Sequence, residues 1–203
     1  MNLHRADKKP EWESVSPSKW TSLQKLAATT HGVGTLANAI TLVGLLLVIG
    51  GVYELFTMQY WWAFALLAGG RLLDIADGLA AEATHTKSPL GEAFDASADK
   101  VGTLLTLVGL LVTGVAAWWV IALLVLPQVV IALTSFYKAH RNIRVHPSRA
   151  GKLSMLFAWL SIIGIVAAAA LKGAVAMTLV VYVLIAVSLV LSAYALGHYL
   201  NAK

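Results

Sequence analysis

The sequence contains no cysteine, which excludes disulfide bonds and thiolate metal ligands, so a metal site in this protein would use oxygen or imidazole ligands. Charged side chains are also scarce. They make up 12% of the residues, about half the share of an ordinary soluble domain. Hydrophobic residues make up 59%. The composition therefore argues against a soluble enzyme and indicates a protein whose main solvent is lipid.

Long apolar runs account for this composition. The first 35 residues are polar and basic, and the first apolar run begins near Leu36, too far along the chain for an ordinary cleavable signal peptide. Six apolar runs follow, each close to the roughly 20 residues that cross a bilayer, at residues 36–56, 60–76, 101–117, 118–136, 153–171 and 174–200. Because lipid leaves open sheet edges unsatisfied, we expect an all-α integral membrane protein with six transmembrane helices.

Basic residues are distributed unevenly between the connections of these spans. The net charge is +5, and 13 of the 15 basic residues fall on one predicted side of the membrane, against Lys172 on the other and Arg71 inside the second span. The 13 are Arg5, Lys8, Lys9, Lys19, Lys25, Lys87, Lys100, Lys138, Arg141, Arg144, Arg149, Lys152 and Lys203. The positive-inside rule places this side, with both ends of the chain, in the cytoplasm. We divide the chain into a cytoplasmic N-terminal segment, residues 1–35, and a six-helix transmembrane domain, residues 36–203.

A short amphipathic pattern precedes the first span. Its apolar residues, Trp20, Leu23, Leu26 and Ala27, recur at helical spacing after a candidate N-cap at Ser18. The pattern predicts a helix lying on the cytoplasmic membrane surface. The alternative is a loop, or a helix folded against the cytoplasmic ends of the bundle.

Aspartates cluster near the ends of the second and third spans, where carboxylates are costly. On two successive helices, carboxylates share a face with small residues. The first face carries Asp74, Asp77, Gly78 and Ala81, and the second carries Gly91, Asp95 and Asp99. Since a polar turn at residues 84–89 connects the two helices, all four carboxylates can meet at one point.

Four carboxylates at one point repel one another unless cations compensate their charge. Oxygen ligands favour Mg²⁺ or Mn²⁺, and such a cluster can hold two ions about 3.5 to 4 Å apart, as in phosphoryl displacement. The alternative is that single aspartates cap helices or pair with Arg71, Lys87 or Lys100. For four aspartates at this spacing, we favour a metal site.

The two faces form the pattern D-x-x-D-G-x-x-A followed by G-x-x-x-D-x-x-x-D, which resembles the signature of the CDP-alcohol phosphotransferase family of phospholipid-synthesising membrane enzymes. Asn38 and Thr41 of the first span are similar to the family's Asn-x-x-Thr. The resemblance implies transfer of a phosphatidyl group from CDP-diacylglycerol to a small polar alcohol, with release of CMP, by a homodimer that uses two Mg²⁺ or Mn²⁺ ions.

The resemblance also implies a role for each matching residue. It implies metal ligands at Asp74, Asp77, Asp95 and Asp99. It also assigns Asp99 as the general base, a role for which the sequence alone does not rank it above Asp95. It implies donor binding by Asn38, Thr41, Asp74, Gly78, Ala81 and Gly91.

One position departs from the family pattern. Glu82 stands where the family has an Arg that is expected to help hold the anionic donor. The reversed charge puts donor affinity, or activity itself, in question. Arg71 lies one turn before Asp74 and is a substitute guanidinium, although an ion pair with Asp74 explains it at least as well.

A basic connection between the fourth and fifth spans is a candidate acceptor site. It carries Lys138, His140, Arg141, Arg144, His146, Arg149 and Lys152. We expect Arg141, Arg149 and Lys152 to bind a phosphate on the acceptor, whereas contact with anionic lipid headgroups is the alternative. Residues 148–152 resemble the Ser-x-x-Gly-Lys segment of phosphatidylglycerophosphate synthases, which implies glycerol 3-phosphate. The next residues of that segment differ here, at Ser154 and Met155, so an inositol phosphate acceptor is the alternative.

Two other functions are compatible with intramembrane carboxylates. One is a divalent-cation transporter, and the other is a family member that binds nucleotide or lipid without turnover. Because the basic residues cluster beside the membrane spans, we exclude nucleic acid as a partner and expect membrane lipids. We expect a multi-pass protein of a bacterial inner or plasma membrane with its active site on the cytoplasmic side.

Overall fold

A computed structural model describes residues 9–141 and 148–201 of the chain. These residues form seven α-helices, two 3₁₀ helices at Glu11–Ser14 and Pro17–Lys19, and no strand. The α-helices are α1 Ser22–Thr29, α2 Leu36–Phe56, α3 Tyr60–Ala83, α4 Pro89–Val112, α5 Trp118–His140, α6 Arg149–Ala170 and α7 Val175–Asn201. The predicted all-α class is confirmed for this part of the chain. Arg5, Lys8, Arg144, His146 and Lys203 lie outside the described residues.

Four of these helices, α2, α5, α6 and α7, are long and apolar enough to cross a membrane, with mean hydropathies of 2.1 to 2.6. This finding supports a multi-pass membrane protein. Helices α3 and α4 are 24 residues long, but charged side chains keep them out of this group. Arg71, Asp74 and Asp77 lie on α3, and Asp95 and Asp99 lie on α4. The structure therefore gives four candidate spans where the sequence predicts six.

Helices α3 and α4 also differ from the apolar runs in their bounds. Helix α3 continues seven residues beyond the predicted end at residue 76, and α4 begins at Pro89, twelve residues before residue 101. Apolar character marks only part of each helix, because the acidic motif continues the helical backbone beyond the apolar run. Helix α4 ends at Val112, ahead of Gly114, whose φ of +71° suits a residue without a Cβ.

The described residues divide into two compact units. The first comprises residues 9–57 and 65–108, and it includes α1, α2 and most of α3 and α4. Helices α2 and α3 pack closely in this unit because glycines line their contact. A Cβ on Gly70 would lie 2.9 Å from the carbonyl oxygen of Gly44, and a Cβ on Gly51 would lie 2.7 Å from the Leu67 side chain. Glycine at these positions lets the two backbones approach.

Helix α1 begins later than predicted, and the cap at Ser18 is wrong. Thr21 is the N-cap: its hydroxyl accepts from the Gln24 amide, and the Gln24 side chain accepts from the Thr21 amide. This reciprocal capping box outcompetes Ser18, which lies in a 3₁₀ turn. Helix α1 leaves Leu23 39% and Leu26 50% exposed. Whether this face lies on a membrane stays a prediction.

The second unit comprises residues 58–64, 109–141 and 148–201, with α5, α6 and α7. Helix α6 packs on α7, where a Cβ on Gly164 would lie 3.1 Å from the Val181 side chain. Polar side chains inside this unit are paired. The Gln128 amide lies 3.3 Å from the hydroxyls of both Ser154 and Ser192. These hydrogen bonds give the Gln128 amide two buried hydroxyl partners.

Candidate active site

Three of the four motif aspartates come together in the first unit. Carboxylate oxygens of Asp74, Asp77 and Asp95 all lie within 4.8 Å of one another. Asp74 and Asp77 are one helical turn apart on α3, and Asp95 reaches the same place from α4. Asp77 is almost fully buried, with 3% of its surface exposed. The predicted convergence therefore holds for these three residues.

Asp99 stands apart from this group and pairs with Arg71. The Nη1 atom of Arg71 lies 2.8 Å from Asp99 Oδ1 and 2.5 Å from Asp74 Oδ2. The guanidinium thus bridges α3 and α4 at the edge of the acidic cluster, and the ion pair expected between Arg71 and Asp74 is present. It supplies one positive charge against four carboxylates.

Thr41 on α2 contacts the cluster directly. Its hydroxyl lies 2.5 Å from Asp77 Oδ2 and 3.0 Å from the Ala37 carbonyl oxygen, and it donates to the carboxylate. Thr41 is buried, so this hydrogen bond is shielded from water. Helix α2 therefore orients a carboxylate of α3, through the close glycine contact of the two helices.

A cavity of about 150 Å³ adjoins the acidic cluster. Seven residues that the sequence predicts for the site line it. They are Asn38, Thr41, Asp77, Gly78, Ala81, Gly91 and Asp95. Asp74 and Asp99, also predicted, are not among its lining residues. The cavity is smaller than the roughly 300 to 1,000 Å³ of sites for drug-sized ligands, so it can enclose one part of a nucleotide.

Other lining residues escaped the sequence reasoning. They are Thr35, Ala37, Thr86, Lys87, Ser88 and Glu92. Thr86, Lys87 and Ser88 belong to the turn between α3 and α4. The sequence feature that could have indicated these three is the length of the turn. A turn this short keeps its residues close to the two motif faces that it joins. Thr35 is the N-cap of α2 and accepts from the Asn38 amide.

Asn38 presents its amide oxygen toward Gly91. Its Nδ2 atom donates to the carbonyl oxygens of Gly32, at 3.0 Å, and Val33, at 2.9 Å. Both bonds fix the side-chain orientation, and the Oδ1 atom lies 3.3 Å from where a Cβ on Gly91 would stand. A Cβ on Gly78 would meet no atom within 4 Å. The cavity lining thus includes open space at Gly78 and an oriented hydrogen-bond acceptor at Asn38.

Glu82, the departure from the family pattern, forms an ion pair with Lys87. The Lys87 Nζ atom lies 3.3 Å from Glu82 Oε1, and the two side chains are 43% and 69% exposed. The carboxylate is therefore not isolated beside the site. It is compensated by a cation that itself lines the cavity.

The predicted acceptor residues belong to the second unit. Arg141 follows α5, with its guanidinium carbon 5.5 Å from the centre of the Tyr137 ring. Arg149 and Lys152 lie in the first turn of α6, whose N-cap Ser148 accepts from the Gly151 amide. Ser148 is held in turn by the Tyr199 hydroxyl, which accepts from its amide at 3.2 Å. Phosphate binding by these residues stays a prediction.

The donor set of the cluster fits a hard divalent cation. Three carboxylates supply oxygen ligands only, and Mg²⁺ and Mn²⁺ favour such ligands. The negative charge of the four aspartates exceeds what Arg71 compensates, so cation binding relieves their repulsion. An acidic cluster beside a small cavity is suited to binding a phosphate ester through a metal ion.

Comparisons with known proteins agree with the family resemblance of the sequence motifs. A family model described as CDP-alcohol phosphatidyltransferase matches residues 34–194. An archaetidylinositol phosphate synthase of Pyrococcus horikoshii is 28% identical over 104 residues, which cover 51% of this chain and 55% of that protein. The chain thus matches about half the length of this curated relative. No solved structure gives a significant match.

Proposed function

Because the chain belongs to the CDP-alcohol phosphatidyltransferase family, we propose that it transfers a phosphatidyl group from CDP-diacylglycerol to a small alcohol and releases CMP. The observation that carries this proposal is the cavity lined by seven motif residues, two of which, Asp77 and Asp95, also belong to the acidic cluster. One continuous set of side chains can thus hold a nucleotide and the metal ions on its phosphates.

The membrane arrangement that suits this reaction has six spans. Helices α3 and α4, each 24 residues long, would cross the bilayer with their apolar halves in the hydrocarbon and their charged halves toward the cytoplasmic side. The Arg71–Asp99 ion pair supports this arrangement, because it joins the two helices near their midpoints, where the charged and apolar halves meet. In this topology a lipid donor reaches the site from the bilayer, and soluble acceptor and CMP exchange with the cytoplasm.

Asp74, Asp77 and Asp95 would hold Mg²⁺ or Mn²⁺, two ions by the family resemblance. Bound there, such ions neutralise phosphate charge and stabilise the charge that builds on the leaving group. The protein's own contribution is to hold the carboxylates in place. Thr41 orients Asp77 by its hydrogen bond, and Arg71 restrains Asp74.

The donor's cytidine moiety would occupy the cavity. Asn38 offers a fixed acceptor oxygen, and Gly78, Ala81 and Gly91 keep the walls free of bulky side chains. Only a small group fits in about 150 Å³, so the diacylglycerol part must extend outside it into lipid. This division of the donor suits a site at a membrane boundary.

Asp99 would accept the proton of the attacking hydroxyl. It lies outside the three-carboxylate group, so proton transfer there need not displace a metal ligand. Its hydrogen bond with Arg71 holds the carboxylate in one orientation. A positioned general base of this kind contributes on the order of 10² to 10⁴ in rate.

The acceptor would carry a phosphate, bound by Arg141, Arg149 and Lys152. The capped first turn of α6 supports this assignment, because amide groups at a helix N-terminus add to the positive charge of Arg149 and Lys152. Glycerol 3-phosphate and an inositol phosphate are the two candidates. The name of the Pyrococcus horikoshii relative favours the second. Homodimerisation, which the family resemblance implies, would use the small-residue faces of the spans.

An acceptor panel tests this proposal. The purified protein in lipid nanodiscs receives CDP-diacylglycerol and Mg²⁺ with glycerol 3-phosphate, inositol phosphate, serine or inositol, and CMP release is measured. We expect release with a phosphorylated acceptor and loss of release in EDTA. Release with serine or inositol alone would contradict the acceptor assignment. Mg²⁺ uptake into vesicles without CMP release would favour a transporter instead.

A further inference from the structure

Lys87 is the one cationic side chain among the described residues that line the cavity. The cavity's other ionisable lining residues, Asp77, Glu92 and Asp95, are acids. A nucleotide phosphate entering this space therefore meets several negative groups. Metal ions can compensate the clustered aspartates, but Lys87 is the cation that the chain itself brings to the cavity wall.

Three hydrogen bonds fix the turn at Lys87. Its carbonyl oxygen accepts a hydrogen bond of 2.9 Å from the Glu11 amide in the N-terminal segment. On the preceding side, the Thr86 amide donates to the Ala81 carbonyl oxygen at 3.1 Å, which ties the turn to the end of α3. On the following side, the Ser88 hydroxyl accepts from the Gly91 amide at 2.9 Å. Lys87 is thus anchored at the wall despite its place in a turn.

The side chain of Lys87 is restrained by Glu82. The ion pair at 3.3 Å draws the ammonium back toward the C-terminal end of α3, beside Ala81 of the cavity wall. An exposed ion pair contributes little to stability, because water screens it and long side chains lose freedom. Its consequence is positional: it limits where the Lys87 ammonium can lie.

We propose that Lys87 binds the pyrophosphate of the cytidine nucleotide donor, and that Glu82 holds its ammonium at the cavity wall until the donor binds. This inference rests on the proposed function, since it takes the cavity to be the nucleotide site. An ammonium donates up to three hydrogen bonds to phosphate oxygens, and such charge-assisted bonds are stronger than neutral ones. The ammonium exchanges its carboxylate partner for phosphate when the donor binds.

The test compares binding of CDP and of cytidine to the full protein in nanodiscs with Mg²⁺, by isothermal titration calorimetry. Lys87→Gln removes the charge and keeps a side chain of similar length. We expect it to weaken CDP binding about tenfold, the size of one charge-assisted hydrogen bond. Cytidine, which has no phosphate, should bind unchanged. Lys87→Arg should restore CDP binding, and Lys25→Gln, an exposed lysine of α1 away from the cavity, should leave it unchanged.

The possible failures are distinguishable. If the wild-type protein releases CMP and binds CDP, but Lys87→Gln binds CDP equally tightly, the role of Lys87 is wrong and the proposed function stands. If Lys87→Gln weakens CDP and cytidine equally, Lys87 shapes the cavity and does not contact phosphate, which also overturns the inference. If the wild-type protein neither binds CDP nor releases CMP, both proposals fail.

Discussion

Thr41 donates a hydrogen bond of 2.5 Å to the buried carboxylate of Asp77, across 36 positions of sequence. The bond joins α2 to the acidic motif of α3, and it exists because the two helices approach closely enough for a short side chain to span the gap. Gly44, Gly51 and Gly70 provide that approach. The geometry of the site therefore depends on residues that never touch a ligand.

Gly70→Ala should disrupt this helix contact. Its Cβ would lie 2.7 Å from a Val48 methyl group and 2.9 Å from the Gly44 carbonyl oxygen, so the backbone must move. We expect a loss of about 1 to 3 kcal/mol in stability, typical of overpacking, and lower activity because Thr41 shifts from Asp77. Thermal unfolding in detergent measures the first effect, and CMP release the second.

The neighbouring glycine is a matched control. A Cβ on Gly69 would lie 3.5 Å from a Leu47 methyl group, an ordinary contact. Gly69→Ala should therefore show equal or higher stability, since alanine favours a helix over glycine, with activity near the wild-type value. Equal behaviour of the two variants would show that the α2–α3 contact does not determine the site.

Gly78→Ala should separate stability from binding. The added methyl group meets no protein atom within 4 Å but enters the cavity. Alanine favours a helix by roughly 1 kcal/mol over glycine, so thermal stability should be equal or higher. Since the methyl group occupies space for the nucleotide, CDP binding should weaken about tenfold, a cost of the size expected for overpacking.

Gly197→Ala supplies the comparison for this variant. Gly197, on α7, also has no atom near its would-be Cβ and does not line the cavity. It should show the same stability effect with unchanged CDP binding. Unimpaired CDP binding by Gly78→Ala would place the nucleotide elsewhere.

Asp99→Asn should abolish catalysis and leave the protein folded. The amide keeps the shape of the carboxylate but cannot accept a proton, so CMP release should fall at least about a hundredfold. Binding of CDP should persist, because Asp99 does not line the cavity. Initial rates of CMP release and calorimetry with CDP measure the two effects. A fully active Asn variant would rule out Asp99 as the general base.

Glu82→Arg should tighten donor binding, because it frees the Lys87 ammonium from the carboxylate with which the donor phosphate competes and adds a second cation. It replaces a carboxylate near the cavity with a guanidinium, and at an exposed position such a change is worth up to about 1 kcal/mol. We expect the KM for CDP-diacylglycerol to fall about threefold, consistent with that energy. Glu13→Arg, the same charge change at an exposed residue of the N-terminal segment, should leave KM unaltered. Unchanged KM in both variants would mean that position 82 does not act on the donor.

The sequence predicted the clustering of the aspartates more accurately than it predicted the bounds of the helices that carry them. Residues repeated at helical spacing, such as Asp74 and Asp77, share a face in any α-helix, and the short turn at residues 84–89 predicted that Asp95 of the next helix would meet them. The apolar runs failed to mark where α3 ends and α4 begins. Apolar character indicates which residues face lipid, whereas the helical backbone continues through charged residues. Four spans are supported where six were predicted, for the same reason.

Contacts between distant residues were beyond prediction. The short turn indicates that Lys87 stays near the motif faces, but not that it lines the cavity, because that depends on how α3 and α4 enclose the turn and on a hydrogen bond from Glu11. Likewise, Arg71 was expected beside Asp74, one turn away, but its bond to Asp99 requires the packing of α3 on α4. Residue spacing predicts which side chains share one face of a helix, whereas contacts between particular side chains of two helices can be identified only from the folded structure.

The most direct test of the central claim compares metal-dependent CMP release by the wild-type protein and by the Asp77→Asn variant. The account predicts that the wild-type protein releases CMP from CDP-diacylglycerol with Mg²⁺ and a phosphorylated acceptor, and that EDTA stops it. Loss of one ligand carboxylate should cost several kcal/mol of transition-state stabilisation, hence at least about a hundredfold in rate. Glu54→Gln, which removes an acid near the end of α2 that lies opposite Thr41, should retain the wild-type rate. Mg²⁺-dependent release by Asp77→Asn at the wild-type rate would contradict the account.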